Sequence, residues 1–330
     1  MTARPEHVPL TDAIRRQVPT EPGVYLFYGG RGELLYVGKS INLRQRMLSY
    51  FRLDLSTAEP RVAQTALGIA RFSFRTTRTE LDALLLEDEL IKTLQPTFNV
   101  RQKEYTEYQY LVLSTDRYPT CRPVDAKAPP ESGALFGPFK DRYVVADILD
   151  LIGRYLQLRT CGEAEPNRRC LNHELQRCAG PCRGEVSRRK YATIVQRTRA
   201  FLEGDDSVIA ERVAAAMQET SARHDFEQAA VLRDTARFVQ RFCSRQSFWR
   251  YFLAKDLVLA EAGPPAVSYV FRQGILTWRG EPPDDSDPVD LAPARPGATA
   301  SADRRFLLDR ANIVHGWIRR HSETCEYRFV

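Results

Sequence analysis

Between Gly23 and Ser40 the chain can do little except turn back on itself. Two runs of strand-forming residues, Val24–Tyr28 and Glu33–Val37, flank Gly29-Gly30-Arg31-Gly32. A glycine-rich tetrad between such runs closes a hairpin. A four-residue loop would pair Tyr28 with Glu33 and, counting inward, Tyr25 with Tyr36. Directly opposed side chains share a face roughly 5 Å apart. The hairpin is therefore expected to carry two phenols side by side, with Gly38 and Lys39 just past the strand end.

Two further segments belong with this hairpin. NLRQRMLSYF places Arg46 and Tyr50 four apart, on one face of a helix that Asn42 can cap. TELDALLLEDELIKTLQPTFN is a second helix, stopped before Pro96. Ala83, Leu84, Leu90, Ile91 and Leu94 lie three, four or seven positions from Glu87, which sets a carboxylate inside an apolar stripe. Burial there is costly unless the carboxylate is paired or binds metal. Asp88 and Glu89 point elsewhere and are expected to be solvated. With 70–77 as a third strand and Leu10–Val18 as a short lead-in helix, residues 1–100 read as a small α+β unit with a short antiparallel sheet flanked by helices.

These residues resemble the GIY-YIG nucleases. The two triplets stand here as Gly23-Val24-Tyr25 and Tyr36-Val37-Gly38, followed in order by Lys39, Arg46, Tyr50, Glu87 and Asn99. The spacing is most similar to the UvrC type of bacterial excision-repair nuclease. The resemblance implies catalytic roles for Tyr25, Tyr36, Lys39, Arg46, Tyr50, Glu87 and Asn99.

The chain has 330 residues, enough for two or three units, and a formal net charge of +6. The charge is unevenly spread: Lys140–Arg199 holds 13 Lys/Arg against 7 Asp/Glu, an excess as large as that of the whole chain. Local basicity suits a polyanionic partner, and a solvated surface accounts for it equally well. No run approaches the roughly 18 apolar residues of a membrane span, and the first residues, MTARPEHVPLTDAIRRQ, hold no apolar signal core. A cytoplasmic protein with reduced cysteines is expected.

Residues 101–160 read as an α/β linker region, with a strand at Tyr108–Ser114 and a helix over 143–158 that sets Leu149, Ile152 and Leu156 on one face. UvrC proteins have a similar linker, including a version of LFGPF (135–139). Arg101, Lys103, Tyr105, Tyr108 and Tyr110 could contact nucleic acid, although packing suits the tyrosines better. Residues 161–186 then bring Cys161, Cys170, Cys178 and Cys182 together in a loop-rich stretch with Asn167, Gly180 and Pro181. Clustered thiols in a reducing compartment fit a soft metal or an iron–sulfur cluster. His173 lies between them and could replace one ligand of a zinc site. The resemblance implies a [4Fe–4S] cluster, with Zn²⁺ as the alternative; the first gap is shorter than in UvrC. Cys121, Cys243 and Cys325 are isolated.

Residues 187–242 have helical periodicity throughout. A basic helix precedes Glu203-Gly204-Asp205-Asp206, and two helices joined around Ala222-Arg223-His224 form an antiparallel hairpin. Phe226, Ala229, Ala230, Leu232 and Arg233 match the UVR motif, through which UvrB and UvrC associate. Packing of the hairpin on its own domain, or self-association, would use the same face. Residues 243–330 read as a small α+β C-terminal part: strands at 257–260 and 267–278, a flexible stretch at 282–302, a helix at 304–320 and a strand-like end. After Phe242 no ordered set of spaced acids could hold two metals; Asp284, Asp285, Asp287 and Asp290 read as linker acids. The resemblance therefore covers the N-terminal half of UvrC, and the make-up is that of the shorter Cho branch with one nuclease site.

The resemblance implies a DNA endonuclease of nucleotide excision repair that hydrolyses one phosphodiester on the 3′ side of a lesion in a UvrB–DNA complex, by direct inversion. Such hydrolysis needs an activated water, charge neutralisation at phosphorus and help for the leaving oxygen. Glu87 is the one well-placed carboxylate, so a single Mg²⁺ or Mn²⁺ is expected. Tyr25 is the candidate base or water-positioning group, and its phenol would need help from metal or Lys39. Arg46 would hold phosphate, Tyr36 and Tyr50 would orient nucleophile and phosphate, and Asn99 would brace the site. Two rivals remain: a non-catalytic adaptor joining UvrB to DNA, and a GIY-YIG endonuclease of restriction or homing type.

Overall fold

The computed structural model describes residues 8–54, 56–99, 108–125, 132–139, 141–161, 170–263, 266–281 and 304–330. Arg101, Lys103, Tyr105, Asn167 and the stretch 282–302, with Asp284, Asp285, Asp287 and Asp290, lie outside the described residues. The chain divides into two units, Met1–Tyr105 together with Lys255–Val330, and Thr106–Ala254.

The first unit opens with α1 (Val8–Gln17), the hairpin β1 (Gly23–Tyr28) and β2 (Leu34–Ser40), and α2 (Leu43–Ser49). Then come α3 (Pro60–Gly68), β3 (Arg71–Thr76) and α4 (Glu80–Leu94). The sheet is antiparallel with order β2-β1-β3. Its central strand is buried from Gly23 to Phe27, which is why GVYLF carries no polar alternation. Tyr25 and Phe27 pack toward Ile14, Val18, Leu43 and Met47 on one face. Val24, Leu26 and Val37 pack against Ala83, Leu90 and Ile91 of α4 on the other. Local chemistry sets the helix ends as expected: Asn42 Oδ1 accepts the Gln45 N–H (3.0 Å) and Thr79 Oγ1 accepts the Asp82 N–H (3.1 Å).

Two expectations need correction. Tyr25 stands opposite Gly38, and Phe27 opposite Tyr36, two residues from the expected register. The turn is longer than four residues: Gly29 N–H donates to Glu33 O (2.9 Å), Arg31 N–H donates to Glu33 Oε2 (3.0 Å), and a bulge lies between Phe27 and Tyr28. An even slip leaves every side chain on its face, so the two phenols still meet, now diagonally. Asp88, expected in solvent, is 1% exposed. Lys92 one turn later lies 2.7 Å from its carboxylate, and a helix from the end of the chain covers both. Helix α3 was not anticipated, nor was β5 in the second unit.

The second unit holds β4 (Gln109–Leu113), β5 (Cys121–Asp125) and β6 (Ala134–Phe139) in the order β5-β4-β6, then α5 (Arg142–Leu151), which runs on as a π-helical turn over Ile152–Leu156. After the short α6 (Leu171–Glu174) come α7 (Arg188–Leu202), α8 (Ser207–Ala222) and α9 (Phe226–Ala254). Leu111, Ile148, Ile152, Phe201 and Phe242 belong to one core. The α8–α9 hairpin forms at Ala222–Asp225, but α9 continues past Phe242 to Ala254 with Phe248, Trp249 and Phe252 buried.

The chain then returns to the first unit as β7 (Asp256–Glu261), β8 (Val267–Arg272), β9 (Ile275–Gly280), α10 (Arg304–Arg320) and β10 (Cys325–Phe329). The strands form an antiparallel sheet of order β10-β7-β8-β9. Among the described residues no helix is long and apolar enough to cross a membrane.

Candidate active site

The site grows from the exposed edge of β2. An edge strand presents unpaired backbone groups, and here they are taken up from α4 and the segment after it. Phe98 N–H donates to Leu35 O (2.8 Å). The Asn99 amide brackets Val37: Oδ1 accepts its N–H and Nδ2 donates to its C=O, both at 2.8 Å. Lys39 N–H donates to Glu87 Oε1 (2.9 Å). Asn99 and Glu87 are thereby held against the strand that carries Tyr36, Gly38 and Lys39.

Three phenols converge beside them. The rings of Tyr25, Tyr36 and Tyr50 form a triangle with centroid separations of 6.0–6.1 Å. Glycine at 38 is required: a Cβ there would lie 2.5 Å from Tyr25 Oη and 2.7 Å from a Tyr36 ring carbon. The phenols of Tyr25 and Tyr50 are 3.0 Å apart, and the Arg46 guanidinium lies 5.4 Å from the Tyr50 ring centre.

A cleft of about 480 Å³ opens on this edge, lined by Tyr36, Tyr50, Glu87, Phe98 and Asn99 and walled by Glu59, Arg61 and Thr65 of the α3 segment. Tyr25 does not line it. That ring is 1% exposed, and burial, with the neighbouring Tyr36, pushes its phenol up to about 12. Burial also raises Tyr36, helped by Tyr50 and Glu87. Burial pushes the Glu87 carboxyl up to about 7, against the Lys39 N–H and ammonium, which pull it down. The ammonium itself pairs with Glu80 (2.8 Å), and among the described residues Glu87 forms no ion pair. A carboxylate so placed, open to a cleft and short of positive charge, fits a divalent cation. Among the described residues no group of three or more His, Cys, Asp or Glu side chains is arranged to hold a metal ion, neither around Glu87 nor at the four cysteines.

The sequence reading missed the α3 wall and Glu80. The signal for α3 was present: Pro60 stands where proline starts a helix, before Val62 and Ala66 at helical spacing. The helix sets Arg61, exposed, at the cleft.

The cysteine segment and the helical hairpin lie in the second unit. Cys161, Cys170, Cys178 and Cys182 are close enough for charge on the other three to raise Cys178, after burial, the largest cause. Cys178 Sγ accepts the Gly180 N–H (3.5 Å). His173 turns Nδ1 to the Cys178 carbonyl (3.1 Å), and its Nε2 lies 4.0 Å from Glu185 Oε1. Arg159 is 3% exposed, with Nε and Nη1 unpartnered, and its charge acts on Cys161. A buried guanidinium needs an anion nearby, and thiolates gathered on a soft metal would be one. On the hairpin, Phe226 is 73% exposed, Ala229 and Ala230 are half-buried and Arg233 is exposed.

Comparison with known proteins follows the same division. Residues 21–100 match the family described as the UvrC-like GIY-YIG domain, and residues 108–201 match the UvrC/Cho excinuclease middle domain. The UvrABC system protein C of Dechloromonas aromatica (strain RCB) is 38% identical over 228 residues, covering 68% of this chain and 37% of that protein. The protein of the same name from Psychrobacter sp. (strain PRwf-1) is 34% identical over 271 residues, covering 80% of this chain and 43% of that protein. The crystal structure of the GIY-YIG N-terminal endonuclease domain of UvrC from Thermotoga maritima, bound to magnesium, is 30% identical; it covers 28% of this chain and 98% of that one, with a TM-score of 0.25. The chain spans about two fifths of the length of these curated relatives. It carries a UvrC-like GIY-YIG domain followed by a UvrC/Cho middle domain.

Proposed function

We propose that the chain is a metal-dependent DNA endonuclease of the Cho type, which makes one cut on the 3′ side of a lesion in a UvrB–DNA complex. The observation that carries the reading is the cleft in which Tyr36, Glu87 and Asn99 meet around a single raised carboxylate. Glu87 would hold Mg²⁺ or Mn²⁺. When bound, that ion supplies positive charge at the phosphorus and lowers the proton affinity of water and phenol beside it.

The chain's own residues do the rest. Tyr36, lining the cleft, would hold the attacking water and, as the phenolate that a bound cation favours, accept its proton; Tyr25, buried behind it, keeps Tyr50 in place through their hydrogen bond. Arg46 and Arg61, both exposed beside the cleft, bind phosphate oxygens, for which the guanidinium fork is suited. Lys39 balances charge between Glu80 and Glu87. Asn99 braces β2 through its two hydrogen bonds to Val37.

In the second unit, the four cysteines would hold a [4Fe–4S] cluster or Zn²⁺, with Arg159 offsetting the thiolate charge; the unpartnered Nε and Nη1 of its buried guanidinium support this. The α8–α9 hairpin would recruit UvrB through Phe226, Ala229, Ala230 and Arg233. The exposure of Phe226 favours this over packing into its own hairpin. The protein would act in the cytoplasm.

The test is incision mapping on an end-labelled duplex with one defined lesion, with and without UvrB, in Mg²⁺. One cut on the 3′ side that requires UvrB, and its loss in Glu87→Gln with lesion binding retained, is the expected result. No cut by the wild type in Mg²⁺ or Mn²⁺ would leave the adaptor reading standing instead.

A further inference from the structure

Helix α4 has two kinds of contact. Its sheet side is apolar, with Ala83, Leu90 and Ile91 against Val24, Leu26 and Val37. Apolar burial is non-directional and does little to fix how far a helix slides along its own axis. Away from the sheet α4 carries directional contacts, and three of these reach Lys255–Val330.

Thr79, whose Oγ1 already caps the helix, lies 2.5 Å from the Tyr269 phenol. Tyr269 donates to Glu261 (3.2 Å), so the Thr79 hydroxyl is the donor to Tyr269; Glu261 also accepts the Trp317 indole N–H. In the first turn of the helix, Arg279 Nη1 is 3.1 Å from Asp82 Oδ1, on a side chain 2% exposed. In the last turn, Lys92 Nζ lies 2.7 Å from the Asp88 carboxylate and 3.2 Å from Asp309 Oδ2, with all three side chains at most 6% exposed. Glu87 sits on the same helix between these tethers and reaches the cleft through its hydrogen bond from Lys39 N–H. Setting register is the best-attested use of buried polar and ionic groups.

We propose that Lys255–Val330 is a clamp that fixes the axial position of α4, with Asp309 and Tyr269 as positioning residues for Glu87. The proposal rests on Glu87 being the cation-binding carboxylate of the site. Misplacement of a reacting group by about 1 Å can lower a rate about 10²-fold, even when the change lies far from the chemistry. A partial loosening of α4 should therefore appear in cation binding and kcat, and leave substrate affinity alone.

The experiment uses the full chain with Asp309→Asn, Tyr269→Phe and Glu87→Gln. Mn²⁺ binding is measured by calorimetry, kcat and KM for nicking per folded molecule, and Tm separately. Asp309→Asn and Tyr269→Phe should each weaken Mn²⁺ binding by about 3–10-fold and lower kcat by about 10-fold, with KM unchanged. Asp309→Glu should restore most of the loss. Should Asp309→Asn not fold, Tyr269→Phe decides alone, because it removes one hydroxyl and keeps the ring. Wild-type Mn²⁺ affinity and kcat in folded Tyr269→Phe and Asp309→Asn, with only Tm lowered, would make the segment an inert buttress and overturn the proposal. If Glu87→Gln binds Mn²⁺ like the wild type, the cation assignment itself fails and the clamp is withdrawn with it.

Discussion

Lys39 donates its backbone N–H to Glu87 Oε1 at 2.9 Å, while its ammonium turns to Glu80 at 2.8 Å. One residue thus anchors the site carboxylate through the main chain and leaves its side-chain charge one step removed. The two contributions are separable, because any residue but proline at position 39 keeps the N–H.

Lys39→Met should retain the Glu87 anchor and the fold, and lower nicking by roughly 10–10²-fold through the lost positive charge. Glu87→Gln should lower it by more than about 10²-fold. Equal losses in single-turnover nicking at saturating Mg²⁺ would show that the ammonium matters as much as the anchored carboxylate and would overturn this ranking.

The phenols divide by burial. Tyr36→Phe should reduce the nicking rate by about 10²-fold with little change in Tm, as removal of a proton-transfer group does. Tyr25→Phe breaks the 3.0 Å contact with Tyr50 inside the core and should cost about 1 kcal/mol of stability, with the smaller effect on rate. Denaturant titration alongside kinetics checks both, and the reverse ranking would return the base to Tyr25.

Glu87 also gives a pH signature. Its folded value of about 7 lies above the ordinary 4.5. The unfolded chain therefore releases this proton first, and stability present below about pH 4.5 is lost as the pH rises toward about 7. In chelator, the Tm of the wild type should fall relative to that of Glu87→Gln across that window and diverge no further above it. Parallel curves from about pH 4 to pH 8 would remove the raised carboxyl from the account.

The cysteine site is read through Arg159. Protein purified without oxygen should contain iron and sulfide, or zinc, in proportion to chain. Arg159→Met should lower that content or speed its loss to a chelator by several-fold, because the thiolates lose a buried counter-charge. A metal-free wild type that melts as it does after metal addition would argue for four plain thiols.

Phe226→Ala should weaken UvrB binding by calorimetry, by about 2 kcal/mol if Phe226 is a hot spot, and leave Tm nearly unchanged, since the ring is 73% exposed. A lowered Tm with undiminished affinity would place the UvrB contact elsewhere on the chain.

The pieces of the site were legible because each is a local pattern: two triplets on one hairpin, a capped helix with Arg46 and Tyr50, an acid in an apolar stripe. Their assembly was less so. The register slipped because Glu33 spends itself inside the turn, which composition alone does not reveal. Tyr25 was the candidate base because the sequence does not say which phenol is outermost in a cluster packed around a glycine. Asp88 looked solvated because its partner Lys92 is shared with Asp309 far along the chain, and no window holds all three. Strands and helix at 256–329 were visible, but not that they close on the first unit, since non-local contacts leave no periodic trace.

The discontinuity of that first unit has a consequence for synthesis. The sheet, the tyrosines and Glu87 leave the ribosome early, but the segment that covers α4 follows only after all of Thr106–Ala254. At roughly 5–20 residues per second the interval is about 7–30 s. Through that time α4 would lack the contacts that Lys92, Asp82 and Thr79 make with this segment. If the proposed clamp holds, α4 gains its second set of contacts only once Asp309 has emerged.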